Sequence, residues 1–209
     1  MQIIPVENLL IKNDVYLHEK VVEIGEAFVS FSNLVENIKQ IGFYKRKNHG
    51  TFRAEKGHQM AVFIENPYKE TGLIKNVLFK IRDKGSPGNG IRIRFFSVLD
   101  GHPNEDILDK DIILSGKKIK KKMNVDVSEF DIFFPKNGVF AVIVWICMYD
   151  EKDLYMPFRI SVHLNPKKRV VYNNYYDRMW IIDESPINYL NGYIAPNLSL
   201  IVGFMNNKK

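Results

Sequence analysis

Apolar and polar positions alternate with period two along much of the chain. Val77, Phe79 and Ile81 interleave with Leu78, Lys80 and Arg82, and Ile91, Ile93 and Phe95 interleave with Arg92 and Arg94. Period two sends successive side chains to opposite faces of a strand, so each segment predicts a strand with one apolar face. Phe158, Ile160, Val162 and Leu164 repeat the pattern. Shorter apolar runs at 60–64, 112–114, 125–127 and 132–134 predict further strands. The run 139–148 is apolar throughout, which predicts a central strand covered on both faces. Asn66-Pro67 stops one strand, and the Gly, Pro and Asn of 85–90 suit a hairpin connection.

The first 45 residues read differently. Leu9-Leu10-Ile11 and Val21-Val22-Glu23-Ile24 suit extended strands. Phe28, Phe31, Leu34, Val35 and Ile38 recur at helical spacing, which predicts a short helix over 27–40. Gly42 and the polar stretch KRKNHG mark a junction. The expected architecture is an all-β, antiparallel β-sandwich of jelly-roll type over 46–209, with a strand-and-helix attachment at 1–45.

Composition narrows the function classes. Fourteen Phe, ten Tyr and two Trp in 209 residues supply the apolar area of a folded core and exclude a disordered chain. Cys147 is the one cysteine, so no disulfide framework exists within the chain. The net charge of +6 is concentrated: Lys117, Lys118, Lys120, Lys121 and Lys122 lie in KKIKKK, and without those five the balance falls to +1. Lys167, Lys168 and Arg169 form a second knot. Short runs of this kind read as solvated turns rather than a nucleic-acid face, with an anion-binding patch as the less favoured reading. The ten-residue apolar run is about half of what a membrane-spanning helix needs. The N-terminus lacks the parts of a signal peptide, so the chain taken alone reads as cytoplasmic if Met1 is the natural start.

Candidate chemistry is sparse. His102-Pro103-Asn104-Glu105 has the H-x-x-E form that can ligate zinc, but Asp100-Gly101 and Pro103 are turn residues, and a surface turn is the expectation. Asp100, Asn104 and Asp106, with Glu105, Asp109 and Asp111, offer oxygen ligands of the kind calcium takes, without the spacing of an EF-hand. Cys147 lies in the most apolar stretch, where a thiol is packing. No cofactor motif is present, and no metal is expected. The more informative cluster is aromatic. Tyr172, Tyr175, Tyr176 and Trp180 surround Asp177 and Arg178, with Tyr189 and Tyr193 following, and exposed rings beside charged groups can stack on sugars and bond their hydroxyls. The plainer reading is that these rings close one end of the sandwich.

The order of motifs from Ala54 to Ile146 carries a resemblance. A-E-K-G-H-Q-M-A-V-F-I-E-N-P is followed by I-R-I-R-F-F-S-V with D-G-H-P-N-E-D-I-L, then by P-K-N-G-V-F-A-V-I-V-W-I. This resembles the C-terminal β-sandwich region of Bacteroidetes proteins named for a carboxypeptidase-like regulatory domain. Gly101, Pro103, Asp106 and Leu108 match one motif of that region. Gly138, Phe140, Val142 and Trp145 match another, with Val144 where an acid is common. Asn8 to Ile24 resembles the last strands of the preceding regulatory-like domain. The resemblance implies a non-catalytic module, a location at the cell envelope (periplasm or surface), and a glycan or an envelope protein as partner. It also implies that most of a preceding domain and its signal peptide lie upstream of Met1. The functional expectation is a non-enzymatic binding or interaction module. The alternatives are a hydrolase with carboxylates in the 100–111 loop and a scaffold without a ligand.

Overall fold

The computed structural model describes residues 35–44, 50–52, 56–83, 89–147, 159–165, 170–175, 179–182 and 193–205. All lie in a compact unit spanning Ser32–Lys209. The segments expected as strands at 9–11 and 21–24, and the basic knot at 167–169, fall outside the described residues.

Fifteen strands are described, and they form two antiparallel sheets. Sheet one holds β1 (Val35–Phe43), β15 (Leu198–Met205), β4 (Gly72–Asp83), β11 (Arg159–Asn165) and β14 (Tyr193–Pro196) in that order. Here β2 (Gly50–Phe52) pairs with β11, while β8 (Lys122–Asp126) and β9 (Phe133–Phe134) pair with β4. Sheet two runs β13 (Ile181–Ile182), β12 (Val171–Tyr175), β3 (His58–Ile64), β10 (Val139–Cys147), β5 (Asn89–Leu99) and β6 (His102–Asp106), with β7 (Ile112–Ser115) on β5. The expected antiparallel sandwich is therefore present.

One buried cluster fuses the sheets. Sheet one contributes Ile74, Val77, Phe79 and Ile81 of β4 and Leu198, Leu200 and Val202 of β15. Sheet two contributes Met60, Val62 and Ile64 of β3, Ile91, Ile93 and Phe95 of β5, and Val139, Ala141, Ile143 and Trp145 of β10. These are the alternate positions that period two selects. His58 caps the core beside Trp145, their rings stacked at 5.6 Å, with Nε2 of His58 3.2 Å from Oδ1 of Asn173.

Two expectations need correction. From Val35 onward the segment expected as helix is strand β1, bonded along its length to β15. Ile41 packs into the core while its neighbour Gln40 is exposed and donates to the Ser199 hydroxyl at 3.0 Å, so tertiary pairing overrides the short helical spacing. This places 35–43 in the sandwich rather than in an attachment. Residues 102–106, expected as loop, form β6. Asp100 and Gly101 hold φ of 49° and 79°, the two positive values of a two-residue type I′ turn, which pairs Leu99 with His102. Pro103 is tolerated because β6 is an edge strand and needs no donor on its outer side.

Candidate functional site

Sheet two is apolar on its outer face as well. On β10, Phe140, Val142 and Val144 turn away from the main core and pack with Ala61 of β3 and Tyr172 of β12. This two-sided burial explains the unbroken apolar run. Half-buried Phe63, Phe96, Val98, Ile146, Trp180 and Ile182 rim the patch. Phe140 meets Phe63 at 5.2 Å and the edge of Tyr172 at 5.3 Å. Trp180 meets Phe96 edge-on at 5.6 Å. The Tyr172 hydroxyl donates to the Gly101 carbonyl at 2.9 Å, and His102 lies edge-on to its ring at 5.3 Å. Burial pushes the Tyr172 phenol above its usual range.

Charge enters this face from β5. Arg92 and Arg94 share a side with Phe96, because they are two and four positions away, and they lie opposite Val144 and Val142 of β10. Arg94 donates through Nε and Nη2 to Oδ2 of Asp106, whose Oδ1 accepts the Leu108 N–H at 3.0 Å. The Arg94 guanidinium also lies 5.7 Å from the Phe96 ring centroid. Nη2 of Arg92 is 3.4 Å from Asp111, while its buried Nε has no hydrogen-bond partner among the described residues. Along the ladder, Asn174 faces Gln59, Gln59 faces Val144, and Val144 faces Arg92. The face thus runs from aromatic rings to amides and guanidiniums. Each ion pair is partly solvated, so it contributes about 0–1 kcal/mol and its more telling effect is to fix donor geometry.

A bulge positions Asp106. Val98 pairs with Pro103 and Phe96 with Asp106, so Asn104 and Glu105 together oppose Ser97. The extra N–H, that of Glu105, donates to the Ser97 hydroxyl at 3.1 Å, and the ladder resumes with Ile107 N–H to the Phe95 carbonyl at 2.8 Å.

Of the aromatic cluster singled out in the sequence, Tyr172 and Trp180 lie on this face. Tyr175 ends β12 opposite His58, and its side chain, like Tyr176 and Arg178, lies outside the described residues. The calcium candidates are spread apart in role: Asp100 is in the turn, Asn104 in the bulge with its amide 3.5 Å from Ser97 Oγ, and Asp106 on Arg94. Among the described residues no group of three or more His, Cys, Asp or Glu gathers to hold a metal ion. Phe96, Gln59, Asn174 and the two arginines were not singled out as site residues. Their signal was the alternation of arginines along β5, which marks an outer face but not what lies beside it.

Comparison with protein-family models, with curated proteins and with solved structures returns no match to this chain. Among the described residues no helix is long and apolar enough to cross a membrane.

Proposed function

We propose that this protein is a non-enzymatic binding module and that the outer face of sheet two is its recognition surface, with a carbohydrate as ligand. The observation that carries this reading is the placement of a half-buried indole, Trp180, against Phe96 beside two arginine–aspartate pairs on one sheet face. Sugars offer apolar C–H faces that stack on rings and hydroxyls that bond to guanidinium and carboxylate groups. A hydrolase of the two-carboxylate type needs paired acids flanking a scissile bond. Asp106 and Asp111 instead face Arg94 and Arg92, which is why binding is preferred. The cell-envelope setting is part of the proposal and rests on the motif resemblance alone.

A glycan array on the purified protein tests this. Binding to a defined glycan class, lost in Trp180→Ala and Arg94→Ala but kept in Trp180→Phe, supports the reading. A folded protein that binds no glycan, or Trp180→Ala binding unchanged, overturns it.

A further inference from the structure

Strand β1 is an outer strand of sheet one: among the described strands it pairs with β15 alone. In an antiparallel strand every second residue directs its N–H and C=O away from its partner, so an outer strand offers a ladder to a further one. The outer strands β6, β13 and β14 are poor templates for such pairing. β13 is two residues long, and β14 is four and ends on Pro196. β6 carries Pro103, two adjacent acids and the bulge at Asn104 and Glu105. β1 has nine residues and no proline. Asn37 and Ile38 sit on opposite faces of the sheet, yet both are exposed, Ile38 at 54%, which places solvent on both sides of this edge.

The edge is also apolar on its outer side. Ile41 packs into the core, so Ile38, three positions back, belongs to the outer face. There it completes a cross-strand row: Phe133 of β9 faces Leu73 of β4, Leu73 faces Gly203 of β15, and Gly203 faces Ile38. Adjacent strands lie about 4.8 Å apart, so the row runs roughly 14 Å across the sheet and stops at its edge on Ile38. The regular stretch of β1 is bounded by the bulge between Val35 and Asn37 and by Gly42, whose φ is 119°. Within 37–41 the one charged residue is Lys39.

We propose that β1 is a dimerisation edge, pairing antiparallel with β1 of a second copy of this chain about a twofold axis at Ile38. Charge selects this register. An axis at Lys39 sets two ammonium groups directly opposite each other, and like charges placed there repel. An axis at Asn37 carries the pairing into the bulge. An axis at Ile38 puts isoleucine on isoleucine and sets Lys39 opposite the amide of Asn37 of the second copy. The apolar row then passes through Ile38 into its counterpart, and the exposed edge disappears. Such a contact is the same on both copies, so it closes at two, and β14, on the far side of sheet one, is too short to extend it into a fibre. The area covered is small, which makes the dimer weak and concentration-dependent. The edge belongs to sheet one and Trp180 to sheet two, so the carbohydrate reading stands or falls independently.

The test is sedimentation velocity of the full chain from about 10 µM to about 1 mM, the range in which a small interface associates. A monomer–dimer equilibrium is expected, weakened about tenfold or more by Ile38→Lys and unchanged by Ile181→Lys, an equally exposed isoleucine on β13. Melting temperatures verify that both variants fold. Cysteine cross-linking in a glutathione buffer reads the register, with the unmodified chain as baseline for the native Cys147. Directly opposite Cβ atoms lie roughly 5 Å apart, so Ile38→Cys should cross-link faster than Asn37→Cys or Lys39→Cys. A chain that stays monomeric, a dimer indifferent to Ile38→Lys, or a cross-link fastest at 37 or 39 overturns the proposal. A monomer that instead takes up an extended peptide along β1 also overturns it, and assigns the edge to a strand of another protein.

Discussion

Gly101 and Gly138 both hold positive φ, at 79° and 92°, yet a methyl group would meet different surroundings at each. At Gly101 nothing lies within 4 Å of the added carbon, so alanine meets backbone strain alone, about 1–2 kcal/mol. At Gly138 the carbon would stand 2.4 Å from the Ile64 carbonyl oxygen, where β3 and β10 come together. Gly138→Ala should therefore cost clearly more than Gly101→Ala, roughly 3 kcal/mol or above, as read from urea unfolding midpoints. Asp126 gives a pH prediction at the same scale. Its carboxylate accepts the Ser128 hydroxyl at 2.6 Å and the Ser128 N–H at 2.9 Å, and these bonds hold its pKa below the usual carboxylate value. A depressed folded-state value means that the stabilisation is complete above the unfolded pKa and is lost as pH falls through the folded one. Ser128→Ala should lower stability slightly at neutral pH and flatten its decline below about pH 4, with the effect kept small by solvent around this exposed group. Melting temperatures between neutral pH and pH 2 check this.

Strand β10 shows the same economy at the level of an element. Its inward residues join the two sheets, and its outward residues hold the ring cluster with Tyr172 and Ala61. Phe140 is fully buried on that outer side, so Phe140→Ala should cost about 3–5 kcal/mol in chemical denaturation, whereas Ile181→Thr on the edge strand β13, at 53% exposure, should change stability by about 0.5 kcal/mol or less. Elements of this kind were legible in the sequence, because β3, β4, β5, β10 and β11 each carry a long apolar run or a clean alternation. Others were not. Val171–Tyr175 reads VYNNY, and two of its buried residues, Asn173 and Asn174, are polar, so burial of amides hid the strand. The Asp100-Gly101 turn was visible, but the strand after it opens on His102-Pro103-Asn104-Glu105-Asp106, whose polarity suits an edge and disguises pairing. The outer face of sheet two shared this fate: Trp180 stood out by residue type, while Gln59 and Asn174 join it only through the register of β3 and β12.

At the scale of the molecule, distant pairing dominates. The Gln40 side chain bonds to Ser199, 159 positions away, and β1 pairs among the described strands with β15 alone. Long loops must close before such contacts stabilise anything, so refolding should be slow, on the order of milliseconds to seconds, with no microsecond phase that restores the signal of buried Trp145. Stopped-flow fluorescence measures this directly. Removing residues 198–205 should abolish cooperative unfolding altogether, because β15 bridges β1 and β4. The same pairing has a consequence during protein synthesis. At about 5–20 residues per second, roughly 10–30 s separate the making of β1 from the making of β15. Through that interval Ile41 and Phe43 have emerged with no sheet to join, so a ribosome-bound chain offers chaperones a sticky segment that the finished protein conceals.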